Sequence, residues 1–155
     1  MGNHTEALQI DFDPQQISFE DVINLVWKSH NPVGSARRSQ YKSAIWFSDD
    51  EQLRIIESTM DPLVQRFGQE LTTEVLPLGT FYNAEDYHQK YSLQHHKAVM
   101  DSFRQMYPLF ADFNRSTAAA RLNGFAAGYG SKVMLEAEKS LYGFDEEMLG
   151  KVVRH

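Results

Sequence analysis

The feature that most constrains the fold is the order in which two hydrophobic periods alternate along the first half of the chain. Leu8, Ile10 and Phe12 recur at every second residue, a period typical of a half-buried strand that Asp13-Pro14 would end. An apolar stripe at helical spacing follows Ser18 and stops near residue 31. The sequence therefore predicts a strand over residues 7–12 followed by a helix.

The same alternation continues to residue 78. The aromatic run from Gln40 to Phe47 predicts a second strand, and residues 48–51 (Ser-Asp-Asp-Glu) form a capping box before a second helix. We expect Gly68 to end that helix and Pro62 to kink or split it. A third strand is expected over residues 72–78, at a sheet edge because of Pro77. The β-α-β-α-β order predicts a sheet with helices packed on it.

From Ala84 onward the patterns become helical. A first helical region is expected through Met106, and further ones over residues 116–125, 132–141 and 146–153. Glycines at 124, 128, 130 and 143 separate these pieces. The sequence as a whole therefore predicts an α+β fold with a helical C-terminal extension.

Composition excludes several classes of function. The formal net charge of −6 and the absence of a long basic run argue against nucleic acid as a partner. No apolar run approaches the roughly 20 residues of a membrane-spanning helix, and the polar N-terminus does not resemble a signal peptide, so a cytoplasmic protein is expected. The chain has no cysteine, which rules out disulfides, thiolate metal sites and a thiol nucleophile within it.

Three junctions between predicted elements concentrate polar and aromatic side chains that could form a binding site. They are His4-Thr5-Glu6 before the first strand, Gln40-Tyr41 entering the second, and the tyrosine-rich residues 81–91 after the third. Each has an ordinary structural interpretation: Glu6 as a solvated carboxylate, and the tyrosines as rings that are buried while their hydroxyls stay wet.

The pair Glu85-x-x-His88 raises a separate possibility. At that spacing both side chains would lie on one helical face, with His95 and His96 further along, which resembles half of a carboxylate-bridged di-metal site. Such a site needs a second Glu-x-x-His, and the chain has none. We therefore expect no metal and no cofactor, and keep a metal-binding helical protein only as a remote alternative.

Taken together, the motifs resemble those of one family, peptide methionine sulfoxide reductase A, over about the first 95 residues. The motifs, in the order and spacing of that family, are His4-Thr5-Glu6, Asp11-Phe12-Asp13-Pro14, Ile17 to Val22, Trp27 to Pro32, Gln40 to Ile45 and Phe81 to Tyr91. The resemblance implies an MsrA-like two-layer sandwich over residues 1–95 and a helical extension over residues 96–155 packed on the same domain.

The resemblance also implies a chemistry. The family reduces methionine S-sulfoxide, free or in proteins, with a cysteine thiolate that is finally recycled by thioredoxin. By motif, Glu6 matches the acid that protonates the sulfoxide oxygen, and Tyr41 a tyrosine that binds that oxygen. Tyr82 and Tyr91 match the wall of the substrate pocket. His4, Gln40, Glu85 and His88 match supporting positions.

One departure from the family pattern is decisive. The nucleophilic cysteine of the family lies in a Gly-Cys-Phe-Trp motif upstream of His-x-Glu, and this chain contains no such motif. In the Asn-Asp-x-Gly loop of many members, the position of the Asp is taken here by Ala36. We therefore expect a monomeric, N-terminally truncated family protein, inactive alone but related to a working oxidoreductase for repair of oxidised methionine. The alternative is a non-catalytic module that binds sulfoxide or another partner.

Overall fold

A computed structural model of the chain describes residues 5–34, 41–144 and 146–152. The chain divides into two compact units, residues 1–81 and residues 82–155. The described part is mostly helical with one small parallel sheet, which is compatible with the expected α+β class. None of the helices in that part is long and apolar enough to cross a membrane.

Two helices of the first unit begin and end where local chemistry dictates. Helix α1 is Phe19–Ser29, and the hydroxyl of Ser18 accepts a hydrogen bond from the Asp21 N–H at 3.1 Å. Helix α2 is Asp50–Phe67, and Gly68 ends it at φ 65°, a left-handed conformation that glycine adopts without strain. The predicted first helix and the predicted stop at Gly68 are confirmed.

The sheet of the first unit has two parallel strands. Strand β1 is Ala44–Phe47, strand β2 is Glu74–Pro77, and their register pairs Ala44 with Glu74 and Phe47 with Pro77. Ile45 lies on the buried face in one cluster with Ile23, Trp27 and Ile56. Both strands are shorter than predicted. Aromatic and β-branched content favours a strand, but it does not show how many of its residues will be hydrogen-bonded to a neighbouring strand.

The strand predicted over residues 7–12 is wrong in this structure. No residue from 5 to 13 is in a strand, Leu8 is 83% exposed and Ile10 is 50% exposed. Period-two alternation identifies a segment that can bury one face, but a strand exists only when its backbone is paired with a neighbour. Within the described residues the only sheet is β1-β2.

Helix α2 differs from expectation at its first residue, and it excludes a split at Pro62 while a kink there stays a prediction. Asp49, not Ser48, caps its start, since the Asp49 carboxylate accepts the Gln52 N–H at 2.8 Å. Pro62 lies inside the helix without splitting it. A proline removes one backbone hydrogen bond from a helix, and here the rest of an 18-residue helix is retained around it.

The second unit is helical and has its own core. Its helices are α3 (Tyr91–Gln94), α4 (Lys97–Met106), α5 (Phe110–Arg115), α6 (Thr117–Ala126), α7 (Lys132–Glu138) and α8 (Glu146–Gly150), with 3₁₀ turns at Asp86–His88 and Lys139–Leu141. Leu93, Phe103 and Leu122 are almost completely buried in its apolar cluster. Three helices predicted after residue 110 are confirmed in type, although α7 and α8 are shorter than expected.

The expected helical region from Ala84 to Met106 is broken into three pieces. Lys90 adopts a left-handed conformation with φ 48°, which interrupts any helix passing through it. Glu85 consequently precedes a 3₁₀ turn that His88 ends, and neither residue shares a long helix with His95 and His96. Helix α5 was not predicted, because its six residues are too short to show a clear period.

Candidate functional site

Tyr41 lies at the entrance of β1, where the two strands are fixed to each other. The Lys42 ammonium lies 2.7 Å from the Glu74 carboxylate, and the Glu74 N–H donates to the Ser43 carbonyl at 3.0 Å. Tyr41 itself is 58% exposed. Its backbone is in a 3₁₀ conformation before β1 begins at Ala44, and its side chain faces solvent.

Glu6 is exposed and lies directly before residues 7–12, which are not in a strand. A carboxylic acid in the role predicted for Glu6 is favoured by partial burial, which Glu6 lacks in this structure. Glu6 and Tyr41 belong to the same unit. His4 and Gln40, the supporting residues predicted beside them, lie outside the described residues.

A buried polar network, which sequence reasoning missed, stabilises the helices beneath the sheet. The indole Nε1–H of Trp27 donates to the Thr59 hydroxyl at 2.8 Å, and Thr59 is 8% exposed. Nε2 of His30 lies 2.8 Å from the Thr73 hydroxyl, and the rings of Trp27 and His30 stack at 5.9 Å. These contacts join residues 32 and 43 positions apart, so no local sequence pattern could have revealed them.

The remaining candidate residues lie in the second unit, on what we call the tyrosine segment, residues 82–91. Tyr82, Tyr87 and Tyr91 are 67%, 61% and 60% exposed. The backbone beneath them is held by the Gln94 carboxamide, whose Nε2–H donates to the carbonyls of Asp86 at 2.7 Å and Gln89 at 2.5 Å. The segment thus presents its phenols on a hydrogen-bonded backbone.

Helix α3 anchors the tyrosine segment to the core of the second unit. Leu93 is fully buried, and its N–H donates to the Asn123 side-chain oxygen on α6 at 3.1 Å. Just before α3, partial burial lowers the pKa of Lys90, since burial penalises the charged ammonium. The tyrosine segment is therefore continued by a helix whose first turn is tied to α6.

Glu85 and His88 do not form the core of a metal site in this structure. Their closest side-chain atoms lie 3.8 Å apart on the surface, and the His88 ring packs against the Tyr87 ring at 4.1 Å. Among the described residues, no group of three or more potential ligand side chains lies together. Their geometry is that of an exposed local pair at a 3₁₀ turn.

Next to the tyrosine segment is an apolar depression of about 340 Å³. Met100, Phe103 and Phe113 form its buried floor, and Asp86, Tyr87 and Arg104 are among the residues at its rim. Its volume lies near the lower end of small-molecule sites. Of the residues that line it, the sequence analysis had singled out only Asp86 and Tyr87, within residues 81–91.

A second network that sequence reasoning missed joins α6, α7 and the following turn. The Arg121 guanidinium donates to both carboxylate oxygens of Glu138, at 2.7 Å for Nε, and the Tyr142 hydroxyl donates to the same carboxylate. The hydrogen bond from Arg121 lowers the pKa of Glu138, and that from Tyr142 adds to it. Burial raises the pKa of the Tyr142 phenol. The network is structural, because Tyr142 is only 3% exposed.

The structure thus distributes the candidate site residues over its two units. Glu6 and Tyr41 belong to residues 1–81, whereas Tyr82, Glu85, His88 and Tyr91 belong to residues 82–155. All six are exposed. The tyrosine segment combines a backbone held by hydrogen bonds with exposed side chains, and Tyr41 is also exposed, which suits recognition of a polar ligand.

Comparison with known proteins identifies the class of protein. A model of the peptide methionine sulfoxide reductase family matches residues 1–120. The chain is 37% identical over 145 residues to a peptide methionine sulfoxide reductase of Drosophila melanogaster, covering 92% of this chain and 58% of the relative. It is 31% identical over 133 residues to peptide methionine sulfoxide reductase A5 of Arabidopsis thaliana, covering 82% and 52%.

A bacterial protein of the same family matches a shorter part of the chain. The chain is 41% identical over 97 residues to peptide methionine sulfoxide reductase MsrA of Salinispora arenicola, covering 57% of this chain and 44% of the relative. The chain therefore belongs to the peptide methionine sulfoxide reductase family. It spans about half the length of the curated relatives that it matches.

Proposed function

We propose that this chain recognises the S epimer of methionine sulfoxide but does not reduce it alone. The observation that carries the proposal is the family match over residues 1–120 in a chain that contains no cysteine. Reduction of a sulfoxide in this family's chemistry needs a thiolate, and no hydroxyl or thioether in the chain can replace it.

In a form that carries the cysteine, the reaction balances as follows. The thiolate attacks the sulfoxide sulfur, the cysteine takes up the oxygen as sulfenic acid, and methionine leaves. A second thiol displaces water from the sulfenic acid to form a disulfide, which thioredoxin or a chemical dithiol reduces. The activity of such a form is the repair of oxidised methionine after oxidative stress. We also propose that the protein is cytoplasmic and monomeric.

We assign the binding roles in this chain as the resemblance implies. Glu6 donates a proton or hydrogen bond to the sulfoxide oxygen, Tyr41 donates its phenolic hydrogen bond to the same oxygen, and Tyr82 and Tyr91 contact the substrate from the pocket wall. His4, Gln40, Glu85 and His88 support these positions. The exposure of Tyr41, Tyr82 and Tyr91 supports the proposal, since their hydroxyls are accessible to a ligand.

The finer architecture belongs to the same proposal. Residues 1–95 would form an MsrA-like two-layer α+β sandwich, with residues 96–155 as a helical extension packed on it. The small parallel sheet with helices on its buried face is consistent with the start of such a sandwich.

The test is an amide NMR titration of the chain with N-acetyl methionine S-sulfoxide and, separately, with the R epimer. We expect the S epimer to shift resonances near Glu6 and Tyr41 and the R epimer to shift them much less. Tyr41→Phe should weaken S binding about fivefold, the value of one hydrogen bond of about 1 kcal/mol. Tyr129→Phe is the matched control, since Tyr129 is 75% exposed and outside the site. Equal shifts with both epimers would refute the proposal.

A further inference from the structure

The depression beside the tyrosine segment has aromatic walls over a buried apolar floor. Its volume is about 340 Å³, and Met100, Phe103 and Phe113 at its floor are at most 3% exposed. The Phe103 and Phe113 rings meet edge to face at 5.4 Å, and the Phe110 ring lies 5.4 Å from that of Phe113. Tyr87 adds a further ring at the rim. A surface of this kind binds an apolar side chain, above all an aromatic one.

Two opposite charges lie at the rim of the depression without pairing to each other. The Asp86 carboxylate makes no hydrogen bond or ion pair with any residue that the structure describes. The Arg104 guanidinium donates one hydrogen bond, to the Asp101 carboxylate at 2.8 Å. A guanidinium carries more N–H donors than this one bond uses. Asp86 and Arg104 therefore both keep hydrogen-bonding capacity for a ligand.

Local structure holds both charges in place. Asp86 begins the 3₁₀ turn Asp86–His88, and its carbonyl accepts hydrogen bonds from the Gln94 Nε2–H at 2.7 Å and the Gln89 N–H at 3.1 Å. Arg104 follows the buried Phe103 on α4. Polar groups that are placed before a ligand arrives lose less conformational entropy when it binds.

The two charges limit the chemistry of the ligand. A molecule that covers the depression takes the rim charges partly out of water, which costs free energy unless each charge is paired. An anion alone would be repelled by Asp86, and a cation alone by Arg104. A ligand that carries both an ammonium and a carboxylate pairs with both. The volume is near the lower end of small-molecule sites, which suits a single amino acid.

We propose that this depression binds a free α-amino acid with an apolar side chain. The ammonium pairs with Asp86, the carboxylate pairs with Arg104, and the side chain packs on Phe103 and Phe113. The proposed site uses neither Glu6 nor Tyr41, so it is independent of the proposed function. It gives the helical second unit a binding activity of its own.

The test is an amide NMR titration of the full chain with L-phenylalanine, which contains no sulfur and so does not resemble the sulfoxide. We expect saturable shifts concentrated at the residues that line the depression, such as Tyr87 and Phe110. N-acetyl-L-phenylalanine amide has the same side chain but neither charge, and it should bind about tenfold more weakly because two ion pairs are lost. Equal affinity for the two compounds would overturn the proposal and assign the depression to a side chain of a peptide.

Two variants remove the charges one at a time. Asp86→Asn and Arg104→Gln should each weaken the binding of L-phenylalanine about threefold to fivefold. Both side chains are exposed, so neither change should disturb the fold. Asp112→Asn and Arg115→Gln are the matched controls, because both residues are exposed on α5 and do not line the depression. The controls should leave the affinity unchanged.

Ligands with a single charge separate ion pairing from structural damage. Phenylpropionate carries only the carboxylate, so Asp86→Asn should bind it more tightly than the unaltered chain does, whereas Arg104→Gln should bind it more weakly. Phenethylamine carries only the ammonium and should show the opposite order. A substitution that merely perturbs the depression would weaken the binding of every ligand alike, and that result would overturn the assignment of the two charges.

The same titrations distinguish this site from the proposed function. The absence of saturable shifts with L-phenylalanine would overturn the amino-acid site even if the S sulfoxide binds. Saturable, charge-dependent binding of L-phenylalanine in a chain that does not discriminate the sulfoxide epimers would support the amino-acid site and refute the proposed function.

Discussion

The two units of this molecule differ in the size of the apolar cluster that each buries. In residues 82–155 short helices surround a cluster of twelve buried residues that includes Leu93, Phe103 and Leu122. In residues 1–81 two longer helices cover a two-stranded sheet over a cluster of four buried residues. Both units also expose large apolar side chains, such as Leu8 in the first and Val133 in the second. Long, well-capped helices therefore do not by themselves give a large core, because the number of elements that pack together sets its size.

The largest effect should come from the core of the second unit. Phe103 is 1% exposed, and its ring contacts those of Tyr107, Phe113 and Phe144 at centroid distances of 6.0, 5.4 and 5.0 Å. Phe103→Ala should lower the free energy of unfolding by about 3–5 kcal/mol, because it leaves a cavity. Urea unfolding followed by circular dichroism measures it. Leu109→Ala, at a residue 67% exposed, is the control and should cost less than about 0.5 kcal/mol. Equal costs would contradict the assigned core.

In the first unit, removal of the Thr59 hydroxyl should cause the largest loss of stability of any single polar change. Thr59→Val keeps the shape of the side chain but leaves the Trp27 indole N–H buried without its acceptor, at a cost of about 1–3 kcal/mol. Both tryptophans of the chain lie in this unit, so fluorescence during urea unfolding reports on it. Ser58→Ala, one residue away and exposed, should change little. If both variants unfold at the same urea concentration, the buried network contributes nothing.

The network of Arg121, Glu138 and Tyr142 should make the free energy of unfolding of the second unit depend on pH. Hydrogen bonds from Arg121 and Tyr142 lower the pKa of Glu138, so their stabilisation is complete above the ordinary glutamate pKa of about 4.3 and is lost as the pH falls through the lowered pKa of the folded state. Tyr142→Phe should cost about 1 kcal/mol at pH 7 and less at pH 3. Urea unfolding at both pH values tests this, with Tyr129→Phe as control. A cost independent of pH would contradict the role of the carboxylate.

The smallest effect should come from the ion pair at the entrance of the sheet. Lys42 and Glu74 are 26% and 47% exposed in their side chains, so Lys42→Gln should destabilise the first unit by less than about 1 kcal/mol. The effect should shrink further in about 1 M salt, where the screening length is about 3 Å. Tryptophan-monitored unfolding at low and high salt measures it. A loss above 2 kcal/mol would mean that the pair holds β1 and β2 together, contrary to this account.

The sequence could predict the features that depend on neighbouring residues, and it could not predict those that depend on distant ones. The start of α1 at Ser18 and the stop of α2 at Gly68 depend on residues within one turn, and both were predicted correctly. The strand at residues 7–12 was predicted wrongly, because a strand also needs a paired neighbour and the alternation of side chains does not show whether one exists. Helix α5 has only six residues, too few for a period.

For the candidate site, sequence reasoning found the residues but not their arrangement. Tyr41 and Tyr82 were singled out at element junctions, where the structure leaves them exposed. The partners that hold their surroundings, Glu74 for Lys42 and Asn123 for Leu93, lie 32 and 30 positions away. Such long-range hydrogen bonds follow from the fold and leave no mark at a fixed local spacing.

The most direct test of binding without reduction is one equilibrium dialysis with recovery of the ligand. The chain is dialysed against an equal mixture of the S and R epimers of N-acetyl methionine sulfoxide with a dithiol present. The solutions from the two sides of the membrane are then analysed by chiral chromatography, which separates the epimers. We expect enrichment of the S epimer on the protein side, with all of it recovered as sulfoxide. Equal distribution of the epimers, or appearance of N-acetyl methionine above a protein-free control, would contradict it.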